Sequence, residues 1–279
     1  QSIESSGIKS YPTANYVNYY GMQNGYPIND MTKADAESGY DPTHPWKNRD
    51  PRFYKTIMFD GVKWRNTGGA GGTAELFTGG RESEEANEKK GCFTAYMNSK
   101  LCPQLMNTFD GYKENNIMIL SLMRLADVYL MYAEATAVGY NSPKGKAATY
   151  SLTAEEALNK IRERAGVAPV LEKFLGSTAD FLSELRRERA VELSFEGFRF
   201  TDLRRWMLLT QYPYTLKTKI EFDRADPNNY NYDAPEENAI KNLREVVLIE
   251  RKYTDRHYWY PLPKKDVSMY EGFYQNPGW

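Results

Sequence analysis

The sequence predicts a mainly α fold in which helix pairs carry long irregular loops and a small β-hairpin. Apolar residues recur at helical spacing between about residues 116 and 210, whereas turn-forming residues interrupt the first 115 residues. After Gln211 the chain is again rich in Asp, Asn and Pro, which predicts irregular structure. With 279 residues, 41% of them hydrophobic, the chain is long enough to bury a substantial core.

The first 115 residues alternate short apolar runs with turn signals, so we expect loops and few helices there. Segments 54–59 and 62–64 flank Asp60-Gly61, which predicts a hairpin because Asp-Gly accepts the positive φ angles of a type I′ turn. Asn24-Gly25 predicts a second turn. The glycine-rich run 68–72 and the charged run 81–90 lack apolar periodicity, so both are expected to be exposed and mobile.

Two helices are predicted next. The first has an apolar face in which small alanines permit close helix approach, and it resembles one helix of a tetratricopeptide pair. That face consists of Leu122, Leu125, Ala126, Tyr129, Leu130 and Ala133. The second helix begins at a capping box formed by Thr153 and Glu156 and should end at Gly166. The two helices are expected to pack against each other.

A third helix, predicted to be capped by Asp180 and ended by Gly197, has an unusual buried face. A short helical tail is expected over 202–209. One continuous face of the third helix carries Phe181, Leu185, Glu188, Glu192 and Phe195. Buried carboxylates need partners, and arginines are abundant in the same segment, so a buried ion-pair network is predicted. The alternatives are an acid/base pair or a nucleic-acid-binding helix, although Glu and Arg interleave too evenly for a phosphate-binding stripe.

Charge and composition limit the chemistry. A net charge of −1 argues against nucleic acid or an anionic membrane surface as the main partner. Only His44 and His257 are available for zinc binding or histidine-dependent catalysis, so no metal or cofactor is predicted. Cys92 and Cys102 are two free or structural thiols, or a short disulfide loop if the protein is exported.

The Asp- and Asn-rich stretch 223–233 admits two interpretations. Its oxygen-bearing side chains suit calcium, but it lacks the glycine and terminal glutamate of an EF-hand loop. Ordinary turns are the favoured interpretation, because Asp and Asn are common turn residues.

Five segments carry a family resemblance in their order along the chain. They are NRDPRFY (48–54), MRLADVYLMYAEATA (123–137), ALNKIRERAGV (157–167), ERAVELSFEGFRFTDLRRW (188–206) and YPLPKKDV (260–267) with the terminal QNPGW (275–279). Together they resemble the SusD/RagB family of outer-membrane nutrient-binding lipoproteins. The resemblance covers nearly the whole chain and corresponds to the C-terminal half of that family.

The resemblance implies one SusD/RagB C-terminal domain over 1–279. It would comprise a loop-rich, ligand-facing region over 1–115, a helical core over 116–210 and an irregular closing segment over 211–279, with the N-terminal half of the family absent. It also implies a non-enzymatic protein on the outward-facing cell surface. Such a protein captures an oligosaccharide or similar nutrient and delivers it to a TonB-dependent outer-membrane transporter. Membrane attachment would come only from a lipid anchor in the N-terminal half.

Candidate ligand contacts follow from residue type and context, since the family has no fixed ligand motif. The chain has 22 tyrosines, and aromatic rings on loops suit the C–H faces of sugars. The candidates are Trp46, Tyr40, Tyr26, Tyr20, Tyr19 and Trp64. Trp46 is the first choice, and Trp46→Ala is expected to weaken binding about ten-fold, or about 1.4 kcal/mol, with little change in melting. The competing interpretation of each ring is a packing role.

Two other functions stay open. The chain could be a transporter-docking scaffold with no ligand site of its own. It could also be a glycoside hydrolase, which needs two carboxylates at a defined separation. The candidate carboxylates for that chemistry are Glu82, Glu84 and Glu85, or Glu188 and Glu192.

Overall fold

The computed structural model describes residues 11–66, 72–86, 91–100, 105, 110–111 and 121–279. Within these ranges there are seven α-helices, which confirms the mainly helical fold. They are α1 (Ala14–Val17), α2 (Pro51–Thr56), α3 (Leu125–Gly139), α4 (Ala154–Ala165), α5 (Thr178–Glu192), α6 (Phe198–Arg205) and α7 (Lys264–Met269). The strands are β1 (Ile57–Met58), β2 (Met97–Asn98), β3 (Leu216–Arg224) and β4 (Ile240–Glu250).

Helices α3, α4 and α5 pack against one another to form the helical core. Small residues lie where α3 meets α4, among them the fully buried Ala133 and Ala157, and Phe181 and Leu185 of α5 fill the adjoining space. The predicted apolar face of α3 is therefore only partly buried. Leu130 and Ala133 are enclosed, whereas Leu125 lies mostly in solvent.

The helix ends show where local signals were sufficient. Thr153 and Glu156 form the predicted capping box, and Gly166 ends α4 with a left-handed φ of 74°. The predicted cap of α5 is wrong, because the Ser177 side chain, and not that of Asp180, accepts a hydrogen bond from a helix N–H. Ser177 lies three residues before the predicted cap, Asp180, so α5 begins about one turn earlier than predicted.

The predicted boundary between α5 and the tail is also wrong. Helix α5 ends at Glu192, and Gly197, with φ of 88°, precedes the first residue of α6. Phe195 adopts a positive φ of 60° between the two helices. The chain therefore turns between 193 and 197, and the short tail begins at Phe198 instead of Asp202.

The predicted hairpin around Asp60-Gly61 is wrong. Residues 51–56 are helical, because Asp50 caps α2 and Pro51 occupies its first turn. Strand β1 then pairs antiparallel with β2, about forty residues away in sequence. Asp60 is buried and accepts hydrogen bonds from Leu76 N and the Arg224 guanidinium, so it serves long-range contacts.

The hairpin of this fold is the β3–β4 pair, in the segment predicted to be irregular. The two strands are antiparallel, with Leu216 opposite Glu250 and Arg224 opposite Ile240. Alternate residues of β3 are buried, including Ile220 and Phe222, which is the period expected of a strand with one covered face. The Asn24-Gly25 turn is present, with φ of 89° at Gly25.

The N-terminal region has a hydrophobic core of its own, although it contains little regular structure. Its buried residues extend from Ala14 to Met97 and are joined by Val191 of α5 and by Ile220, Phe222 and Ile240 of the β3–β4 pair. The loops are therefore held on both sides, by the helical core and by the sheet.

Several sequence-based expectations fall outside the described residues. They concern positions 68–71 of the glycine-rich run, positions 87–90 of the charged run, and Cys102. Cys92 is described and is a buried free thiol. Across the described ranges, no helix has the length and apolar character needed to cross a bilayer.

Candidate functional site

The six aromatic residues proposed as ligand contacts do not share one exposed surface. Trp46, Tyr20, Tyr40 and Trp64 have exposures of 0 to 3%. Tyr19 and Tyr26 keep partial exposure. In this structure a sugar ring cannot stack on any of the four buried rings without opening the core.

Trp46 is buried because its loop folds back over the N-terminal core. Its ring stacks on Phe59 with centroids 5.0 Å apart and meets the edge of Phe222 at 5.2 Å. The indole N–H faces the Tyr96 hydroxyl at 3.4 Å. The expectation that Trp46 is exposed on a loop is therefore wrong, because β3 supplies a covering ring from a distant part of the chain.

The two buried tyrosines have protein partners for their hydroxyl groups. Tyr20 donates to Ser194 Oγ at 2.7 Å, and Tyr40 donates to the Met31 carbonyl at 2.9 Å. Burial raises the pKa of both phenols above the ordinary value of 10.0. Both residues therefore hold loops in place as neutral side chains.

The half-buried tyrosines lie beside cations. Lys173 Nζ is 4.4 Å from the centre of the Tyr26 ring, and the Arg199 guanidinium is 4.8 Å from that of Tyr19. These contacts are within the range of cation–π attraction. Each ring is thus positioned by a cation while part of it remains open to solvent.

A polar cleft of about 410 Å³ lies next to the Tyr26 backbone and is called the amide cleft here. It is lined by Met22, Gln23, Asn24, Ser38, Gly39 and Asn48. Asn24 Nδ2 donates to the Ser38 carbonyl at 2.9 Å, and Asn24 Oδ1 accepts from Tyr26 N at 3.2 Å. Gln23 and Asn24 are exposed. Amide side chains of this kind can both donate to and accept from sugar hydroxyls.

Arg49 binds backbone beside the amide cleft, next to the lining residues Met22 and Asn48, although it was not among the residues predicted from the sequence. Its guanidinium is buried and donates to the carbonyls of Pro45 at 2.9 Å, Val17 at 3.1 Å and Gly21 at 3.2 Å. Burial lowers the pKa of Arg49. The adjoining Asn48 has a left-handed φ of 54° and accepts a hydrogen bond from Gln23 N through its carbonyl. The segment NRDPRFY could have indicated this role. In it Asn48 adopts the left-handed turn, Arg49 binds backbone carbonyls and Asp50 caps α2.

The predicted buried ion-pair network on α5 is present, but the arginines that bond Glu188 and Glu192 come from other segments and not, as predicted, from the same one. Glu188 accepts from Arg52 at 2.5 Å and from Arg162 at 3.0 Å, and it is almost completely buried. Burial would raise the pKa of Glu188, but the charges of Arg52 and Arg162 outweigh it and hold the pKa at about 2. A general acid needs a proton near neutral pH, so Glu188 is unsuited to that role.

Glu192 is equally committed to ion pairs. It meets Arg52 at 2.9 Å, Arg124 at 2.5 Å and Arg164 at 2.6 Å. Three guanidinium groups around one buried carboxylate satisfy both of its oxygens. Glu188 and Glu192 are therefore structural anions in this fold.

The other carboxylate set does not form a pair. Glu82 bonds Arg65 at 3.1 Å and Arg81 at 2.7 Å, and Glu84 lies 3.3 Å from Lys219. Glu85 is exposed. The Glu82 and Glu84 side chains are therefore paired with different cations.

The stretch 225–233 is built as turns, in agreement with the favoured interpretation, whereas Asp223 and Arg224 end strand β3. Asp226 accepts from the backbone N–H groups of Asn228 and Asn229 and caps a short 3-10 turn. Asn231 accepts from Asp233 N at 3.0 Å. Among the described residues, no cluster of three His, Cys, Asp or Glu side chains is placed to hold a metal ion.

Comparison with known proteins identifies similar sequences and folds. The SusD family model matches residues 2–279. No curated protein matches this sequence. Among solved structures, a SusD-like protein from Bacteroides fragilis has 21% identity and a TM-score of 0.69, covering 96% of this chain and 47% of that protein. BT4246 has 20% identity and a TM-score of 0.64, covering 96% of this chain and 44% of its own. The chain therefore spans about half the length of these structures, and at such low identity they support the fold alone.

Proposed function

This chain belongs to the SusD family, and from that premise we propose that it captures an oligosaccharide or similar nutrient without altering it chemically. The proposed next step is delivery to a partner TonB-dependent outer-membrane transporter. The observation that carries the proposal is the family match along nearly the whole chain. The proposed location is the outward-facing surface of the outer membrane, with a lipid anchor as the attachment.

The arrangement of carboxylates supports binding without catalysis. Glu188 and Glu192 are each held by at least two arginines, and Glu82 is held by Arg65 and Arg81. A glycoside hydrolase needs one protonated carboxyl and one ionised carboxylate facing each other across the scissile bond. None of these three residues supports that pairing.

We propose that the ligand is met at the amide cleft, with the partly exposed ring of Tyr26 as a candidate aromatic contact. The cleft is of the size that small ligands occupy, and its exposed amides suit hydroxyl groups. Trp46, Tyr20, Tyr40 and Trp64 would then act indirectly, by holding the loops that carry the amides. Tyr19 stays a candidate for direct contact because its ring is partly open.

The test is to measure binding of a panel of neutral oligosaccharides by isothermal titration calorimetry and then to substitute Gln23. Gln23→Ala should weaken the bound member of the panel about ten-fold, or about 1.4 kcal/mol, because one exposed amide is lost from the cleft. Within the described residues, the Gln23 side chain makes one long hydrogen bond, of 3.4 Å to the Gly166 carbonyl, so folding should be little affected. Gln211→Ala is the matched control, since Gln211 is an exposed glutamine outside the cleft.

Other outcomes lead to the alternatives. If the chain binds no saccharide while a longer polypeptide with the remainder of the family's length does, the docking-scaffold function is favoured. An exposed apolar patch at the start of α3, with Leu122 at 94% and Leu125 at 66% exposure, would suit that role. Release of reducing sugar from the panel would instead support a hydrolase.

A further inference from the structure

A second cleft lies at the C-terminal end of α5, and none of the six predicted aromatic residues lines it. It has a volume of about 620 Å³ and is called the cationic cleft here. The lining includes five cations, Arg52, Lys55, Lys100, Arg124 and Arg164. Two carboxylates, Glu192 and Glu196, also face it, and Val191 and Phe195 provide apolar surface.

The cations outnumber the anions even after the pairs behind the cleft are considered. Behind the cleft, Arg52, Arg162 and Arg187 pair with Asp50, Glu184 and Glu188, and these six charges balance. Among the described lining residues, the other four cations then face two carboxylates, an excess of two positive charges. A concave site with an unbalanced charge of one sign attracts ligands of the opposite sign.

Two of the cations are open to a ligand. The Arg164 side chain is 62% exposed and bonds Glu192 through one of its amino groups, which leaves other guanidinium N–H groups facing outward. Lys55 is exposed and forms no ion pair with any described residue. Lys100 is partly exposed and donates to Glu196 at 2.6 Å and to the Ser194 carbonyl at 2.9 Å.

Phe195 gives the cleft an apolar wall next to these charges. It is half-buried, and its ring lies 5.8 Å from that of Tyr16. Its backbone adopts a positive φ of 60°, which is costly for a bulky side chain. The Phe195 ring can therefore cover the C–H face of a ligand, while the cations can bind an oxyanion of the same ligand.

We infer that the cationic cleft binds the charged group of an anionic saccharide, either a uronic acid carboxylate or a sulfate ester. Arg164 and Lys55 contact the oxyanion, Arg124 and Lys100 add to the local field, and Phe195 covers the sugar ring. The inference rests on the proposed function only in taking the ligand to be a saccharide. A nucleic acid is disfavoured because the excess is local and the whole chain carries a net charge of −1.

The test uses matched charged and neutral probes with the full chain. Trigalacturonate is compared with its methyl ester, and a monosulfated carrabiose is compared with the desulfated sugar. At least one anionic probe should bind about ten-fold more tightly than its neutral form, and its affinity should fall as salt is added. The two arms distinguish a carboxylate from a sulfate as the preferred group.

Variants assign the binding to this cleft. Lys55→Ala with Arg164→Ala should reduce affinity for the anionic probe at least about ten-fold, because both open donors are removed. Arg251→Ala with Lys252→Ala is the matched control, since both residues are exposed and the change in net charge is the same. Lys55→Ala alone is the second variant, because Lys55 has no ion pair in the described structure to lose, and it should retain the melting temperature while weakening binding.

Three results would overturn the inference. They are equal binding of charged and neutral probes, no binding of either anionic probe, and equal loss of affinity in the cleft variant and the control variant. In each of these cases the proposed function is still supported if a neutral oligosaccharide binds and Gln23→Ala weakens that binding. The two proposals therefore fail separately.

Discussion

Buried arginines stabilise this fold at the scale of single residues, and they do so in two ways. Arg49 donates to the backbone carbonyls of Val17 in α1 and of Gly21 and Pro45 in loops, and its guanidinium lies 4.7 Å from the centre of the Phe53 ring. Arg162 instead bonds two carboxylates of α5, Glu184 and Glu188. In both cases the cost of removing a cation from water is offset by acceptors that face it directly.

Trp46 provides a residue-scale test. Because its ring is fully buried and stacked on Phe59, Trp46→Ala should lower the free energy of unfolding by about 3–5 kcal/mol. Chemical denaturation followed by circular dichroism measures the change. Trp259→Ala is the control, since Trp259 is 57% exposed and its loss should cost far less. An unchanged denaturation curve for Trp46→Ala would contradict the burial.

Helix caps and ion pairs set the boundaries of the elements. Helix α4 begins at a complete capping box and ends at a glycine in the left-handed conformation, so both ends are determined locally. Helix α5 is capped by Ser177, and its C-terminal half is fixed by long-range pairs. Arg189 joins it to Asp127 of α3 at 2.5 Å and to Asp202 of α6 at 2.7 Å.

Removing the cap of α4 should have a measurable effect. Thr153→Ala should destabilise the protein by about 0.5–2 kcal/mol, because the Glu156 N–H loses its side-chain acceptor. Thermal unfolding followed by circular dichroism in the far ultraviolet reports the change. Thr201→Ala, at an exposed site within α6, should be neutral or slightly stabilising because alanine is the better helix former. Equal effects of the two substitutions would rule out a role for the cap.

At the scale of the whole molecule, the ion-pair network connects segments that are far apart in sequence. Arg52 of α2, Arg124 before α3 and Arg162 of α4 all converge on the carboxylates of α5. The N-terminal region joins the same assembly through Tyr20, which bonds Ser194. The loops, the helical core and α6 should therefore unfold together.

This network makes stability depend on acidity. The pKa of Glu188 is about 2 in the folded protein against an ordinary 4.5, so the folded state favours the ionised form. Its contribution, on the order of 3 kcal/mol, is fully present above about pH 5 and is lost as the pH falls toward 2. The pKa values of Glu184 and Glu196 are lowered as well, which adds to the loss in the same direction.

Urea denaturation at a series of pH values between 7 and about 2 would measure this loss. Repeating the series in about 1 M salt is the control, because salt screens exposed pairs more than buried ones. The acid-induced loss of stability should persist in salt. A free energy of unfolding that is flat from pH 6 to about 3 would contradict the network.

Much of the helical core was predictable, because helix signals are local. The capping box at Thr153, the glycine after α4 and the charged apolar face of α5 each lie within a few turns of the residues that they control. Two carboxylates on an apolar face also require cations, so the network was predictable in kind. Its partners Arg52 and Arg124 were not, since they come from distant segments.

The site was much less predictable. Trp46 and Asp60 have loop-like neighbours in the sequence, yet Phe222 covers one ring and Arg224 bonds the other side chain from more than 160 residues away. Strand β1 similarly finds its partner far along the chain instead of across the nearby Asp-Gly turn. Helical spacing and capping involve residues that are close in the sequence, so both can be recognised from the sequence alone. Burial of a loop ring and the enclosure of a cleft depend on which remote surfaces meet, and that is established only when the loops, helices and sheet pack together.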